Sequence, residues 1–427
     1  MKRYDVLVVG GGPAGMSAAM QSAAAGATTL LLERSSMLGG TTNAAGVNFP
    51  GIFHAWGRQI IDGYGWKLVA DCVAQSGGKL PDFSTPPAKH WMHQVRVDRS
   101  VYTLLCDEHV SRTGAEVLFH AMPAKVAALP DGWHVTICDK LGLQEIQTRC
   151  LVDCTGDANL VALAGGTLLD DGPDKQPGTY VCKAGGYNNA DLDMEKIDAA
   201  FLEALARGEV TAHDAGWNVN APKASRWLHQ RGENANHIPG IDGRDSWGRT
   251  QLELAGRRSI LRMYRFLRQQ PGLENLYIEF LAPQCGVRET VRIAGDALVT
   301  ADDYISGRVW HDALCHSFYP IDLHTSDGSG LKKIELEPDI VPTVPRAALL
   351  PKGLKRIAVA GRCVSSDRDA NSALRVQASA MAMGQAAGAM AALSARDGID
   401  MRDLPLNSIR ALLQEHGAIV PEPAKEN

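Results

Sequence analysis

The chain has 427 residues, enough for two domains or more, with 45% hydrophobic and 21% charged residues, an ordinary globular balance. A net charge of −5 and a pI near 6.2 exclude a general electrostatic attraction to nucleic acid or anionic membranes. No apolar run reaches the roughly 18 residues a membrane span needs, so neither membrane nor nucleic acid is an expected partner.

Met1-Lys2-Arg3 runs directly into an apolar, β-branched stretch, Tyr4 to Val9, so it does not read as a signal peptide and the expected location is cytoplasmic. The stretch reads as a strand buried on both faces. Gly10, Gly12 and Gly15 then have the G-x-G-x-x-G spacing, with Pro13 and Ala14 inside it. The first glycine allows the turn, the second admits a pyrophosphate to the backbone, and the third lets the helix pack on the strand. Pro13 suits the first helical turn, where its missing N–H costs nothing. The Ala-rich run to Ala25 predicts a helix closing at Gly26, and Thr29 to Leu32 a second strand. That strand ends at Glu33, 18 residues past Gly15, where an acid accepts hydrogen bonds from an adenosine ribose. In the segment that follows, Arg34, Gly39, Gly40, Thr41, Asn43 and Gly46 are further cofactor candidates, since glycines bring backbone near a ligand and short polar side chains bond it.

Pro81, Pro86 and Pro87 mark a connection, and Asp98 to Ser111 predicts a helix. Strands follow at Glu116–Phe119, Lys125–Leu129 and His134–Cys138, with Lys125 counted as a cofactor candidate and Asp131-Gly132 as a turn. The strand from Leu151 ends in Thr155-Gly156-Asp157 and leads into an apolar helix, Ala158 to Ala164. Asp157 can touch a cofactor or cap that helix. The middle is mixed, with helices at Met194–Arg207 and Gln251–Gln269; the arginines of the latter read as a solvated face. Asp327-Gly328-Ser329-Gly330 lacks a preceding strand and reads as a loop, and no second dinucleotide fingerprint is present. Near the end come a strand from Leu354 to Ala360, a long small-residue helix from Asn371 to Ala395 and a final helix, Leu406 to Glu415. Gly384 and Gly388 should let the long helix lie tightly on the sheet. Nine cysteines without a C-x-x-C pair weigh against a redox dithiol of the thioredoxin-reductase type and give no zinc or iron–sulfur spacing, and the closest pair, Cys150 and Cys154, reads as core thiols. No internal repeat or low-complexity tract is present.

Together these stretches resemble the FAD-dependent oxidoreductases of the glutathione-reductase-like superfamily, and most of all the group related to succinate dehydrogenase and fumarate reductase flavoproteins. The matching segments are Val8–Gly15 with Glu33-Arg34, Leu38–Thr41, Val152–Asp157, Gly286–Gly295, Val359–Ser365, Ala373–Val376 and Met383–Gly388. The resemblance implies an α/β fold: a Rossmann-like FAD-binding domain built from both chain ends, residues 1–165 and 339–427, with a mixed α+β substrate domain inserted at 166–338. It implies FAD with its adenosine at Glu33, its pyrophosphate over Gly12, and its ring near Gly40 to Gly46 and the start of the Asn371 helix. Thr155, Gly156, Gly361, Arg362, Leu374, Arg375 and Val376 would complete its site. Many relatives carry an acid where this chain has Arg362. Relatives with covalent flavin use a histidine that residues 41–46 lack, so non-covalent FAD is expected. No metal is expected.

For catalysis the candidates are Arg288 and Arg292, which share one face in either a helix or a strand and can clamp a carboxylate. The alternative is an ion-pair network with Glu289 and Asp296. His316 and His324, near Tyr319, can exchange protons or serve structurally. The expected function is hydride transfer between flavin and a small organic substrate, with an unidentified electron acceptor or donor. An RNA-modifying flavoprotein and one using FAD only structurally are the alternatives; the acidic balance and the lack of a basic stripe oppose the former.

Overall fold

The structure, a computed structural model, describes residues 2–85, 87 and 89–422; Pro86 lies outside the described residues. Its centre is a seven-stranded sheet of β1 (Lys2–Val9), β2 (Thr29–Glu33), β3 (Glu116–Phe119), β4 (Met122–Leu129), β5 (Gly132–Asp139), β6 (Gly142–Asp153) and β7 (Ile357–Val359). The order is β3-β2-β1-β6-β5-β4, with β7 beside the C-terminal end of β6. Strands β3, β2, β1, β6 and β7 are parallel, whereas β4, β5 and the first half of β6 form an antiparallel meander. The polar first half of β6, Gly142 to Gln147, was not expected from the sequence: pairing with β5, joined by β1 at Ile146 and Gln147, makes it a strand.

The period-2 rule explains why these strands read as continuous apolar runs. Val6 and Val8 of β1, Leu31 of β2, Cys150 and Val152 of β6 and Ala358 after Ile357 belong to one core. The alternate residues Leu7, Val9, Leu30, Leu32, Leu151, Ile357 and Val359 belong to another on the opposite face. A third core gathers residues from Tyr180 to Cys285, including Phe201, Trp227 and Met263. Val299 to Val344 pack instead into the first core with both chain ends, so residues 166–338 are divided between cores.

The long C-terminal helix differs from expectation twice. It is two helices, Arg368–Leu374 and Gln377–Asp397, separated by Val376 in extended conformation (φ −65°, ψ 150°). The long-range partners of Arg375 and Gln377, not a local glycine or proline, fix the break. The Arg375 guanidinium donates to Asp322 O at 3.3 Å; Thr42 Oγ1 donates to Gln377 Oε1 at 2.7 Å, and Gln377 Nε2 to Val47 O at 3.0 Å. Second, Gly384 and Gly388 serve contact with the Pro13–Ala24 helix rather than the sheet. A Cβ at Gly384 would lie 2.0 Å from Ala14 O, and one at Gly388 2.4 Å from Ala18 O. Backbone cannot yield as a side chain tip does. Gly384→Ala is therefore expected to cost about 1–3 kcal/mol or more by overpacking, read as a lower denaturation midpoint with unchanged slope; an unaltered midpoint would contradict this packing.

Candidate functional site

A cavity of about 760 Å³ runs along the C-terminal ends of the parallel strands, the position where open α/β sheets bind ligands. At one end lie Glu33, Arg34 and Ala121 to Pro123; at the other, Arg288, Tyr319, Asp322, His324 and Gln377.

The glycine loop shapes the first part. Gly10 has φ +101°, and a Cβ there would lie 2.4 Å from Cys154 O; one at Gly15 would lie 1.7 Å from Gly10 O. Both glycines are thus demanded by the protein's own packing. Gly12 is different: its added Cβ would meet nothing nearer than Gly40 Cα at 3.9 Å, and the residue lines the cavity. The space there is reserved for something other than protein. Glu33 holds the loop from below, accepting from Gly11 N at 2.6 Å and from Ser35 N at 2.7 Å, and a carboxylate has roughly four acceptor sites, which leaves capacity for ribose hydroxyls.

Midway, Asp157 gathers cations. It accepts from Arg249 Nη2 at 2.9 and 3.1 Å, from Thr290 Oγ1 at 2.9 Å and from Arg362 Nη2. Burial alone would raise its carboxyl, but the two guanidinium groups and the hydroxyl bring it below the usual range. Arg362 is fixed further by donating to Gly156 O at 2.8 Å and to Val287 O. Asp157 is no cap of the short helix that follows: buried Asp153 fills that role, accepting from Leu160 N at 2.8 Å and Val161 N at 3.1 Å. Arg362 and Asp157 thus form one ion pair on the cavity wall.

At the far end Arg288 donates to Pro177 O at 2.5 Å and to His237 Nε2 at 3.3 Å. A guanidinium cannot accept, so His237 Nε2 is the acceptor and Nδ1 carries the proton. Burial, then the neighbouring Arg375, lowers Arg288 to about 10, still cationic at neutral pH. Burial and the cations of Arg288 and Arg375 push His324 down to about 2, and burial with Arg288 pushes His237 lower still, so both imidazoles are neutral. Their rings meet edge-on at 4.8 Å. Tyr319 is pushed up to about 12, chiefly by burial. The Nδ1 atoms of both histidines and Nε of Arg375 are buried without a protein partner. Here too the second C-terminal helix begins: Val376 offers no side-chain cap, so the first N–H groups and the positive dipole end meet the cavity wall at Gln377.

Of the residues expected from the sequence, Gly10, Gly12, Pro13, Ala14, Glu33 and Arg34 line the cavity, as do Gly40, Thr41, Thr155, Gly156 and Asp157. So do Gly361, Arg362, Arg375, Val376, Arg288 and His324. Gly15, Gly39, Asn43, Gly46 and Leu374 lie behind the wall and shape it; Asn43, for example, donates to Leu38 O at 2.7 Å. Lys125 is exposed on β4, beyond a register shift after Pro123, and the wall is made by Ala121 to Pro123 instead. Arg292 does not share a target with Arg288, because the stretch between them is irregular. It is buried, donating to Ser366 O at 2.8 Å and pairing with Asp171 at 2.6 Å. Glu289 pairs with Arg368 and Asp296 with Arg402. His316 sits on a separate strand, Ala313–His316, paired to Thr343–Pro345, away from the cavity. Sequence reasoning missed Arg249, Gln377 and Asp322. The signal for Arg249 was Asp245, whose carboxylate caps Gly248 N at 2.7 Å and starts that helix at Ser246, a turn earlier than expected. Arg262 of the same helix is only half-exposed and clamps buried Asp214 at 2.7 and 2.8 Å.

The open space at Gly12, the uncapped helix start and the acid at Glu33 fit FAD. Among the described residues no cluster could hold a metal ion, and no helix is long and apolar enough to cross a membrane. No curated protein matches the chain. Among solved structures it is similar to p-nitrophenol 4-monooxygenase PnpA from Pseudomonas putida DLL-E4 (12% identity, TM-score 0.44, covering 97% of this chain and 85% of that one). It is also similar to a geranylgeranyl bacteriochlorophyll reductase-like protein from Thermoplasma acidophilum (13% identity, TM-score 0.43, 97% and 82%). A match to OxyS anhydrotetracycline hydroxylase from Streptomyces rimosus (22% identity, TM-score 0.32) covers 42% of this chain and only 38% of that one, well under two thirds of its length. The family model described as FAD dependent oxidoreductase matches residues 5–413. The chain belongs to the FAD-dependent oxidoreductase family, and FAD is its cofactor.

Proposed function

We propose that the protein transfers a hydride between non-covalently held FAD and a small organic anion, with a separate electron acceptor or donor completing the cycle. The observation that carries this reading is the convergence of Arg288, Arg375 and the uncapped start of the Gln377 helix at one end of the cavity. Two buried guanidinium groups there outnumber the one carboxylate, Asp322, so an anion is the complementary ligand. FAD supplies the redox chemistry when bound. The helix start stabilises negative charge that develops on the cofactor side, and Arg288 and Arg375 hold and orient the substrate anion. His324, neutral at working pH, takes the substrate proton; a bound anion raises its proton affinity from the depressed resting level. Non-covalent attachment is supported by Thr41 to Gly46, which offer no histidine, cysteine or tyrosine. The cofactor part is assigned to residues 1–165 and 339–427, and the substrate part to 166–338, whose Tyr180–Cys285 core stands apart.

Anaerobic mixing of the yellow protein with a panel of small carboxylates, and of the photoreduced protein with their dehydrogenated forms, tests the proposal. Bleaching or reoxidation by at least one anionic compound, and not by its neutral amide, is expected; reaction with neutral compounds alone would overturn the anion reading.

A further inference from the structure

The Ser246–Leu267 helix carries arginines that the oxidoreductase reading does not use. Its inner face supplies Leu252, Ile260 and Met263 to the third core. Its outer face is not simply polar. Trp247, Leu254 and Leu261 are 80%, 48% and 44% exposed. They recur every seven residues, which keeps them within one narrow stripe of a helix. Arg258 and Arg265 fall on the same stripe, and Arg257 and Arg268 on its flank; all four are exposed. The one acid within the helix is Glu253, which is paired with Arg257 at 3.2 Å. Among the described residues the side chains of Arg258 and Arg265 make no hydrogen bond or ion pair.

We infer that this face docks the protein on an anionic lipid surface. Charge sets the sign of the partner. A second copy of the helix would bring Arg258 and Arg265 against like charges, which opposes self-association. Nucleic acid would use the guanidinium groups but would leave two leucines in water. A lipid headgroup layer uses all of it: phosphates take the arginines, and the boundary below takes the tryptophan and leucines. The net charge of −5 does not oppose this, because at physiological salt charges act over about 8 Å, and the stripe is locally cationic. The helix starts at the cavity wall, where Arg244, Asp245 and Ser246 stand, so docking would hold the cavity close to the lipid.

The test is flotation of the FAD-loaded full chain with phosphatidylcholine vesicles, with and without about one-third phosphatidylglycerol. Binding to the anionic vesicles only, weakening with salt, is expected. Removing two arginines that each contribute near the surface should weaken it by about 30-fold in Arg258→Gln/Arg265→Gln. Trp247→Ser/Leu254→Ser should lower binding at every salt concentration. All four sites are exposed, so the variants should keep their flavin spectrum and melting temperature, which are measured alongside. The inference is overturned by absence of binding at low salt, by binding that both variants retain, by competition from single-stranded RNA that displaces the vesicles at equal phosphate, or by a dimer in light scattering that the Trp247 variant abolishes.

Discussion

Gly12→Val is expected to give a folded protein that no longer holds FAD. The backbone at Gly12 is extended (φ −75°, ψ −175°), a conformation valine adopts without strain. Its Cβ would meet no protein atom closer than 3.9 Å. The branched methyl groups therefore enter the cavity, where the diphosphate must approach the start of the Pro13–Ala24 helix. Losing two hydrogen bonds to a charged group costs on the order of 3–6 kcal/mol, which is at least about a hundredfold in affinity. Gly15→Val is the informative comparison, since its side chain would strike Gly10 O and should damage the fold itself. Circular dichroism and FAD titration separate the two. A Gly12→Val protein that binds FAD normally would place the diphosphate elsewhere.

Arg288→Lys is expected to lower substrate-driven flavin reduction by about two orders of magnitude, the effect of losing one oriented donor to developing charge, with the FAD spectrum unchanged. Lysine keeps the charge but loses the planar fork that reaches Pro177 O and His237 together. Arg292→Lys should do the opposite. Its guanidinium serves Asp171 and Ser366 O in the interior, so a lower melting temperature and a reduction rate within a few fold of the parent are expected. Rapid-mixing absorbance and thermal melts on both variants decide the matter; a normal reduction rate in Arg288→Lys would remove it from substrate binding.

What could be read from the chain itself was the part governed by local rules. The strand, glycine loop, helix and acid from Tyr4 to Glu33 form one continuous unit, and each residue type there answers a nearby backbone demand. Glu116–Phe119 and Leu406–Glu415 likewise occur where their periodicity puts them. The failures are long-range. Nothing near Arg375-Val376 breaks a helix; the interruption depends on Gln176, Asp322, Thr42 and Val47, all at least fifty residues away. Arg288 and Arg292 share a face only in a regular element, and the irregular chain between them sends one to the cavity and the other into the interior. Lys125 was displaced by a bulge next to Pro123, a residue that sheets hold only at edges, strand starts or bulges, so that signal was local and went unused. The Asp245 cap was a local signal and could have been used.

The most direct measurement of the central claim is the flavin content of the purified protein before and after acid precipitation. A yellow protein whose flavin passes entirely into the supernatant as intact FAD, at one per chain, is the expected result. A protein that stays colourless when FAD is supplied would contradict the cofactor cavity, and flavin retained in the precipitate would contradict the non-covalent attachment.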